Sequence, residues 1–151
     1  MKIKTKVNGV DYAVDVESNE RLTDLLRNRL GLMGVKEGCG VGDCGLCVVL
    51  VDGRPVNSCL VLAYHAAGRE ITTVEGLAAG GKLHPLQQAF VDVGAVQCGF
   101  CIPPALLVLK YLMDTKPSAS VEEVRHALRS ILCRCGSYLR FVEAFERARN
   151  R

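Results

Sequence analysis

The chain has 151 residues, of which 49% are hydrophobic and 23% are charged, and its formal net charge is +3. This composition is typical of a globular protein, and the scattered Lys and Arg residues give nucleic-acid binding no support. No stretch approaches the roughly 18 uninterrupted apolar residues that a membrane-spanning helix requires. Because Met1 to Val7 also lacks the apolar run of a secretory signal peptide, we expect a cytoplasmic protein in a reducing environment.

Residues 1–76 predict a small mixed α/β domain built around a sheet. Alternating apolar residues and β-branched runs indicate the strands, and the pairs Asn8-Gly9 and Asp52-Gly53 are typical of tight turns between them. One helix crossing such a sheet is the β-grasp arrangement used by plant-type ferredoxins. The predicted strands cover residues 2–7, 11–16, 47–51, 54–60 and 70–74.

A single helix is predicted between the second and third strands. Leu22, Leu25, Leu26 and Leu30 recur at helical spacing over about 21–30. Ser18 and Asn19 precede this run and are candidate N-terminal caps. Gly31 follows it and is expected to end the helix.

Residues 77–151 predict a second domain that is entirely helical. Pro103 and Pro104 suit the first turn of a helix, and Ser120 with Glu123 matches a capping box. We therefore expect an α+β protein in which the β-grasp domain precedes a four-helix bundle. The predicted helices run from His84-Pro85 to about Val91, from Pro103 to about Met113, from Ser120 onward and after Cys135.

The most informative feature is the spacing of eight cysteines, which fall into two sets of four. The first set opens with C-x4-C-x2-C, the pattern by which plant-type ferredoxins hold a 2Fe-2S cluster. The second set consists of two close pairs, C-x2-C and C-x-C, each suited to holding one iron. Two four-thiolate sites predict two iron-sulfur clusters and hence electron transfer. The first set is Cys39, Cys44, Cys47 and Cys59, and the second is Cys98, Cys101, Cys133 and Cys135.

Disulfides and structural zinc are the alternatives for these cysteines. Disulfides are disfavoured because a chain of this length buries an adequate core without them. Zinc fits the second set well, since four-cysteine zinc sites often consist of two close pairs. The first set favours iron-sulfur because glycines surround its ligands, and backbone N–H groups that curl around a cluster need little steric bulk. The glycines expected to supply unobstructed N–H donors are Gly40, Gly42 and Gly45.

The chain resembles the small iron-sulfur subunit of the molybdenum hydroxylases, the xanthine dehydrogenase and aldehyde oxidase family. The resemblance covers nearly the whole chain. Its ligands are intact, although Ile102-Pro103-Pro104 and Gly136-Ser137-Tyr138 depart from the commonest family pattern. The motifs that carry it are Glu37-Gly38-Cys39-Gly40, Gly45-Leu46-Cys47, the later Cys59, Gln97-Cys98-Gly99-Phe100-Cys101 and Cys133-Arg134-Cys135.

The resemblance implies a role for each set of cysteines. The first set would bind the distal cluster, nearer a flavin, and the second set the proximal cluster, nearer the molybdenum cofactor. Gln97 would hydrogen-bond the pterin of that cofactor. The molybdenum cofactor would lie on a large partner subunit and FAD on a medium one, so this chain would be the non-catalytic part of an oxidoreductase.

The expected function is therefore an electron relay from the molybdenum cofactor through two 2Fe-2S clusters to a flavin subunit or another acceptor. A free-standing two-cluster ferredoxin is the alternative, and a zinc-bound interaction module is a third. The presence of a whole helical half, with Gln97 beside Cys98, favours the subunit, because a diffusing carrier needs no second domain. The sequence leaves open the substrate, the terminal acceptor and the stoichiometry of the complex.

Overall fold

The computed structural model describes residues 1–150; Arg151, the last residue of the predicted helical domain, lies outside the described residues. The chain forms one mixed sheet of five strands, followed by four α-helices. The strands lie in the order β2-β1-β5-β3-β4, and β1 and β5 run parallel while the other neighbours are antiparallel. Their bounds are Lys2–Val7 for β1, Val10–Asp15 for β2, Val48–Val51 for β3, Arg54–Asn57 for β4 and Glu70–Thr72 for β5.

Both predicted hairpin turns are confirmed by their backbone angles. Asn8 and Gly9 have φ angles of 51° and 79°, and Asp52 and Gly53 have φ angles of 48° and 77°. Positive φ at both central residues is what a two-residue type I′ turn requires, because its twist then matches that of the strands. These turns fix the registers of β1 with β2 and of β3 with β4.

The predicted helix between β2 and β3 is present, but its geometry and its cap differ from expectation. It consists of an α-helical turn, α1 (Leu22–Asp24), which continues as a π-helix over Leu25–Arg29. The prediction that Ser18 or Asn19 caps it is wrong, since the N-cap residue is Arg21 and no side chain caps the helix. The Leu22 N–H is instead bonded to the Val61 carbonyl, 2.7 Å away. The Val61 carbonyl, from a distant segment, therefore satisfies a helix N–H that a capping side chain would otherwise bond.

Two strands end earlier than predicted. β4 stops at Asn57, and Ser58–Leu60 forms a 3-10 turn instead of continuing the strand. The Ser58 hydroxyl donates to the carbonyl of Cys47 at 2.7 Å, and this bond accompanies the turn that carries Cys59 back toward the first cysteines. β5 likewise ends at Thr72, and Val74–Gly76 forms a 3-10 turn instead of continuing the strand.

Four helices follow, close to where the sequence predicts them. Ser120 and Glu123 form the predicted capping box, in which each side chain accepts from the backbone N–H of the other residue. A second box begins α2, where His84 Nδ1 accepts from the Leu86 N–H and the Gln87 side chain accepts from the His84 N–H. The helices are α2 (Pro85–Asp92), α3 (Ile102–Thr115), α4 (Val121–Leu128) and α5 (Tyr138–Arg149). Within residues 1–150, no helix is long and apolar enough to cross a membrane.

The sheet separates two hydrophobic cores, and β3 contributes to both. Val49 packs with α1 on one face of the sheet, whereas Val48 and Leu50 belong to the core formed by the four later helices. Alternate residues of a strand point to opposite faces, so one short strand serves both cores. The helical half is thus packed directly on the sheet.

Candidate metal centres

The first set of cysteines is organised by a loop whose backbone N–H groups converge on Cys39. Its Sγ accepts from the N–H groups of Val41, Asp43 and Cys44 at 3.4, 3.3 and 3.4 Å, and the Cys39 N–H donates to Cys44 Sγ at 3.4 Å. The N–H of Cys44 acts most strongly, followed by that of Val41, and together these donors lower the pKa of the exposed Cys39 thiol to about 6. The backbone of the loop therefore stabilises the thiolate form of Cys39 by itself, without help from a bound cation.

The other two cysteines of this set form a buried pair. Burial, together with contact from the Cys47 thiol, raises the pKa of Cys59 to about 11, while the backbone N–H of Gly42 acts in the opposite direction. Cys39 also contributes to the electrostatic field at Cys59. The structure thus brings all four predicted residues together, as one pair of Cys39 with Cys44 and one pair of Cys47 with Cys59.

Glycine is required at the loop positions for two different physical reasons. Gly40, Gly42 and Gly45 have φ angles of 69°, 80° and 67°, in the left-handed region that favours glycine. The backbone N–H of Gly42 acts to lower the pKa of Cys59, and its donation to a bound cluster stays a prediction. Gly45 is constrained differently, because a Cβ there would lie 1.8 Å from the carbonyl oxygen of Ser130. Donation by Gly40 and Gly45 to a bound group stays a prediction.

Side chains outside the cysteine motif hold the loop in place. Arg21 pairs with Glu37 at 2.7 Å and with Asp24 at 2.8 Å, which ties the start of the loop to α1. Asn57 donates from Nδ2 to the carbonyl of Gly42 at 3.1 Å. Neither support was predicted from the sequence. Arg21 and Glu37 are 16 positions apart, and Asn57 and Gly42 are 15 apart, so no local pattern signals either contact.

The second set of cysteines is divided into an exposed pair and a buried pair. Cys98 and Cys135 are exposed and in hydrogen-bond contact, and the pKa of Cys98 is lowered, first by the N–H of Phe100 and then by Cys135. Cys101 and Cys133 are buried. Burial and the neighbouring Cys133 thiol raise the pKa of Cys101 to about 12. The four predicted residues lie together, but their contacts pair Cys98 with Cys135 and Cys101 with Cys133. The expectation that each close sequence pair holds one iron is therefore wrong, because the fold brings one cysteine of each pair against one of the other.

Backbone donors offset the burial of Cys133. Burial acts to raise its pKa, but the N–H of Ser137, the Cys101 thiol and the N–H of Gly136 outweigh this effect and lower it. The Ser137 N–H lies 3.4 Å from Cys133 Sγ. Cys101 directly precedes α3, so it lies at the positive end of that helix dipole.

Gln97 packs against the loop that carries the last two cysteines. Its side-chain nitrogen donates to Ser137 Oγ at 2.9 Å and to the Cys135 carbonyl at 3.4 Å. Gln97 is itself exposed, whereas Ser137 is buried. The side chain is therefore held at the surface beside the exposed pair Cys98 and Cys135.

The two sets of cysteines are joined by a direct backbone contact that the sequence did not predict. The N–H of Leu132 donates to the carbonyl of Cys44 at 2.9 Å. Leu132 immediately precedes Cys133, so this hydrogen bond connects a cysteine of the first set to the residue before a cysteine of the second. The close approach of Ser130 to Gly45 lies next to it, and only a glycine fits there without moving the backbone.

The donor sets fit 2Fe-2S clusters. Each set offers two pairs of sulfurs and converging N–H groups. In the first set a glycine also lies against the sulfurs, since a Cβ on Gly38 would lie 2.9 Å from Cys44 Sγ. Cationic irons would offset the charge of the buried thiolates. All eight cysteines are free. Among residues 1–150, no three His, Cys, Asp or Glu side chains meet the geometry of a single metal ion.

Two family descriptions match the chain in succession. Residues 5–75 match the family described as "2Fe-2S iron-sulfur cluster binding domain", and residues 73–146 match the one described as "[2Fe-2S] binding domain". Each match contains one complete set of four cysteines. These matches favour iron-sulfur clusters at both sites over the zinc that the second set alone left open.

Relatives of similar length point to one kind of protein. The chain is 44% identical to the nicotinate dehydrogenase small FeS subunit of Eubacterium barkeri, over 94% of this chain and 90% of that one. It is 46% identical to the xanthine dehydrogenase iron-sulfur-binding subunit of Escherichia coli O157:H7, over 93% and 89%.

A solved structure agrees with these sequence relatives. The fold matches a chain of quinoline 2-oxidoreductase from Pseudomonas putida 86 with a TM-score of 0.93, at 41% identity and covering 99% of this chain and 96% of that one. The chain therefore belongs to the family of small iron-sulfur subunits of the molybdenum hydroxylases, and it is the iron-sulfur part of an oxidoreductase complex.

Proposed function

We propose that the chain relays electrons from the molybdenum cofactor of a large partner subunit, through two 2Fe-2S clusters, to a medium FAD subunit or another acceptor. The observation that carries this proposal is the pair of four-cysteine sites joined by the Leu132–Cys44 hydrogen bond. A 2Fe-2S cluster takes up and releases one electron at a time, and its potential depends on hydrogen bonds, burial and net charge. The residues around each site control those three quantities.

Each set of cysteines would hold one cluster, with two thiolates at each iron. Cys39 and Cys44 would hold one iron of the distal cluster, and Cys47 and Cys59 the other, in keeping with the pairs that are in contact. The proximal cluster would be held in the same way, by the exposed pair and the buried pair of the second set. The proximal ligands are Cys98, Cys101, Cys133 and Cys135.

The two clusters would belong to two domains, a ferredoxin-like β-grasp domain of residues 1–76 and a four-helix domain of residues 77–151. Support comes from the sheet and α1 in the first part and from α2 to α5 in the second. The shared strand β3 would hold the domains together. A cytoplasmic location completes the proposal, because free thiols persist in a reducing compartment.

Gln97 would bind the pterin of the molybdenum cofactor. Its nitrogen bonds to Ser137 and to the Cys135 carbonyl, which orients the amide beside the exposed end of the second site. Replacing Gln97 with Ala should slow reduction of the clusters by substrate, with both clusters still present. Reduction at the wild-type rate would refute the pterin role, and Gln88→Ala, on the outer part of α2, is the matched control.

The alternative, a free-standing two-cluster ferredoxin, predicts that the exposed pair Cys98 and Cys135 is not covered by another chain. The subunit proposal predicts the opposite for Cys98 and Cys135. Isolating the protein from its native host without denaturation distinguishes them: co-purification with a molybdenum-containing chain supports the subunit. A cluster-loaded chain that is isolated alone and exchanges electrons with diffusing donors supports the carrier.

The test of the two sites is EPR spectroscopy with iron analysis on the reduced native complex. We expect about four irons per chain and two different S = 1/2 signals, since eight thiolates accommodate two 2Fe-2S clusters. Cys47→Ala should remove only the first signal and Cys101→Ala only the second. Zinc in place of iron, or a single signal in the unaltered complex, would refute the relay.

A further inference from the structure

The hydroxyl group of Tyr138 bonds to two successive peptide units of the segment that connects the two cysteine sets. Tyr138 is the first residue of α5. Its hydroxyl donates to the carbonyl of Ile131 at 3.0 Å and accepts from the N–H of Cys133 at 2.7 Å. One side-chain oxygen thus fixes the orientation of two neighbouring peptide planes.

One of those peptide units also bonds to the first cysteine set. The Ile131 carbonyl and the Leu132 N–H belong to the same peptide, and the Leu132 N–H donates to the Cys44 carbonyl at 2.9 Å. Because a peptide unit is planar and its C=O and N–H point in opposite directions, Tyr138 holds one end and Cys44 the other. Rotation of this peptide would break both bonds.

These bonds form a continuous chain between the two sites. It runs from the Cys133 N–H to the Tyr138 hydroxyl, then through the peptide of Ile131 and Leu132 to the carbonyl of Cys44. Hydrogen bonds in such a chain polarise one another, so each strengthens the next. Both ends of the chain are backbone groups of residues that would bind iron.

The ring of Tyr138 is held in place by the helical core. It meets the ring of Phe141 edge to face, with 6.2 Å between centroids, and Phe141 stacks on Phe90 at 5.1 Å. Phe90 and Phe141 are almost completely buried, at 1% and 0% exposure. The hydroxyl therefore has a fixed position from which to orient the peptide.

We propose that Tyr138 is a positioning residue that sets the electronic coupling between the two sites by holding the Ile131–Leu132 peptide against Cys44. The inference rests on the proposed function, since coupling has meaning only if both sites carry clusters. On the Cys44 side, the contact of Gly45 with Ser130 keeps the two backbones close. Tyr138 determines how the peptide between them is oriented.

The test is Tyr138→Phe in the native complex, which removes the hydroxyl and keeps the ring. Two readouts are needed: the spin-spin splitting between the two reduced 2Fe-2S signals, and hydrogen exchange of the Leu132 amide. We expect the splitting to be reduced with both signals present, and exchange of the Leu132 amide to be faster by about tenfold, because the substitution removes both hydrogen bonds by which the hydroxyl orients this segment. Tyr12→Phe, in the edge strand β2, is the matched control.

The outcomes separate this inference from the proposed function. If the unaltered complex lacks two signals, the proposed function fails whatever Tyr138 does. Unchanged splitting and exchange in Tyr138→Phe, with both signals intact, would overturn the positioning role alone. If the variant loses its second cluster, 3-fluorotyrosine at position 138 is the second test. Its more acidic hydroxyl is a stronger donor to the Ile131 carbonyl, so hydrogen exchange of the Leu132 amide should slow. Unchanged exchange would overturn the inference.

Discussion

Replacing Gly45 with Ala tests the contact that joins the two halves of the chain. A Cβ at this position would lie 1.8 Å from the Ser130 carbonyl oxygen and 3.2 Å from the Ile131 Cα. Cβ contacts below 3.0 Å are essentially never observed, so the two backbones must separate by about 1.2 Å, the difference between 3.0 and 1.8 Å. The neighbouring bond from the Leu132 N–H to Cys44, at 2.9 Å, would then be lost.

Three costs contribute to the expected loss of stability. A non-glycine residue at a φ of +67° costs about 1 kcal/mol. Forcing apart a packed contact costs about 1–3 kcal/mol, and losing the hydrogen bond costs about 1 kcal/mol. We therefore expect Gly45→Ala to lower the free energy of unfolding by about 3–5 kcal/mol.

Gly53→Ala is the matched control for this substitution. Gly53 has a similar φ of +77°, but nothing lies within 4 Å of an added Cβ, so only the backbone cost of about 1 kcal/mol applies. At roughly 2–4 °C per kcal/mol, the unfolding midpoint of Gly45→Ala should lie about 5–15 °C below that of Gly53→Ala. Circular dichroism and bleaching of the visible absorption of the cluster-loaded chain measure it. Equal midpoints would refute the close contact.

Two further predictions concern the capping boxes. Burial, followed by repulsion from Lys110, lowers the pKa of His84, and a protonated Nδ1 no longer accepts from the Leu86 N–H. The unfolded chain therefore binds more protons at this residue than the folded chain does. The stability that His84 contributes above about pH 6.5 should consequently fall as the pH drops below that value. His84→Asn, which keeps an acceptor, should flatten the slope of unfolding midpoint against pH, and an equal slope in both proteins would contradict this. Ser120→Ala should cost about 1 kcal/mol and lower the unfolding midpoint by roughly 2–4 °C; a loss no greater than that of Ser118→Ala would show that the box contributes nothing.

The features that the sequence predicted well are those determined by nearby residues. The Asn8-Gly9 turn and the Ser120 and Glu123 capping box each involve groups within a few positions of one another, and both are present. The grouping of the cysteines was also predictable, because cluster ligands follow fixed spacings. Local chemistry determines these features whatever the rest of the chain does.

The features that were missed depend on partners far along the chain. The Leu22 N–H is satisfied by Val61, not by Ser18 or Asn19, and no local pattern signals a backbone partner at that distance. The close approach of Gly45 to the Ser130 carbonyl was also not predicted, because Ser130 lies far along the chain. In both cases the tertiary structure supplies the partner that the sequence cannot identify.

The contact between the halves makes the packing of each site depend on the other. Cys44 and Leu46, from the first cysteine loop, lie in the same hydrophobic core as the buried residues of α3 and α5. Burial of that loop therefore depends on the helices, while the position of the segment before Cys133 depends on the loop through Leu132 and Gly45. The packing that stabilises the fold therefore also holds the backbones of the two sites together. Gly45→Ala, which loosens this packing, should consequently weaken stability and coupling together, whereas Tyr138→Phe, which keeps the ring against Phe141, should weaken coupling at a smaller cost in stability than Gly45→Ala.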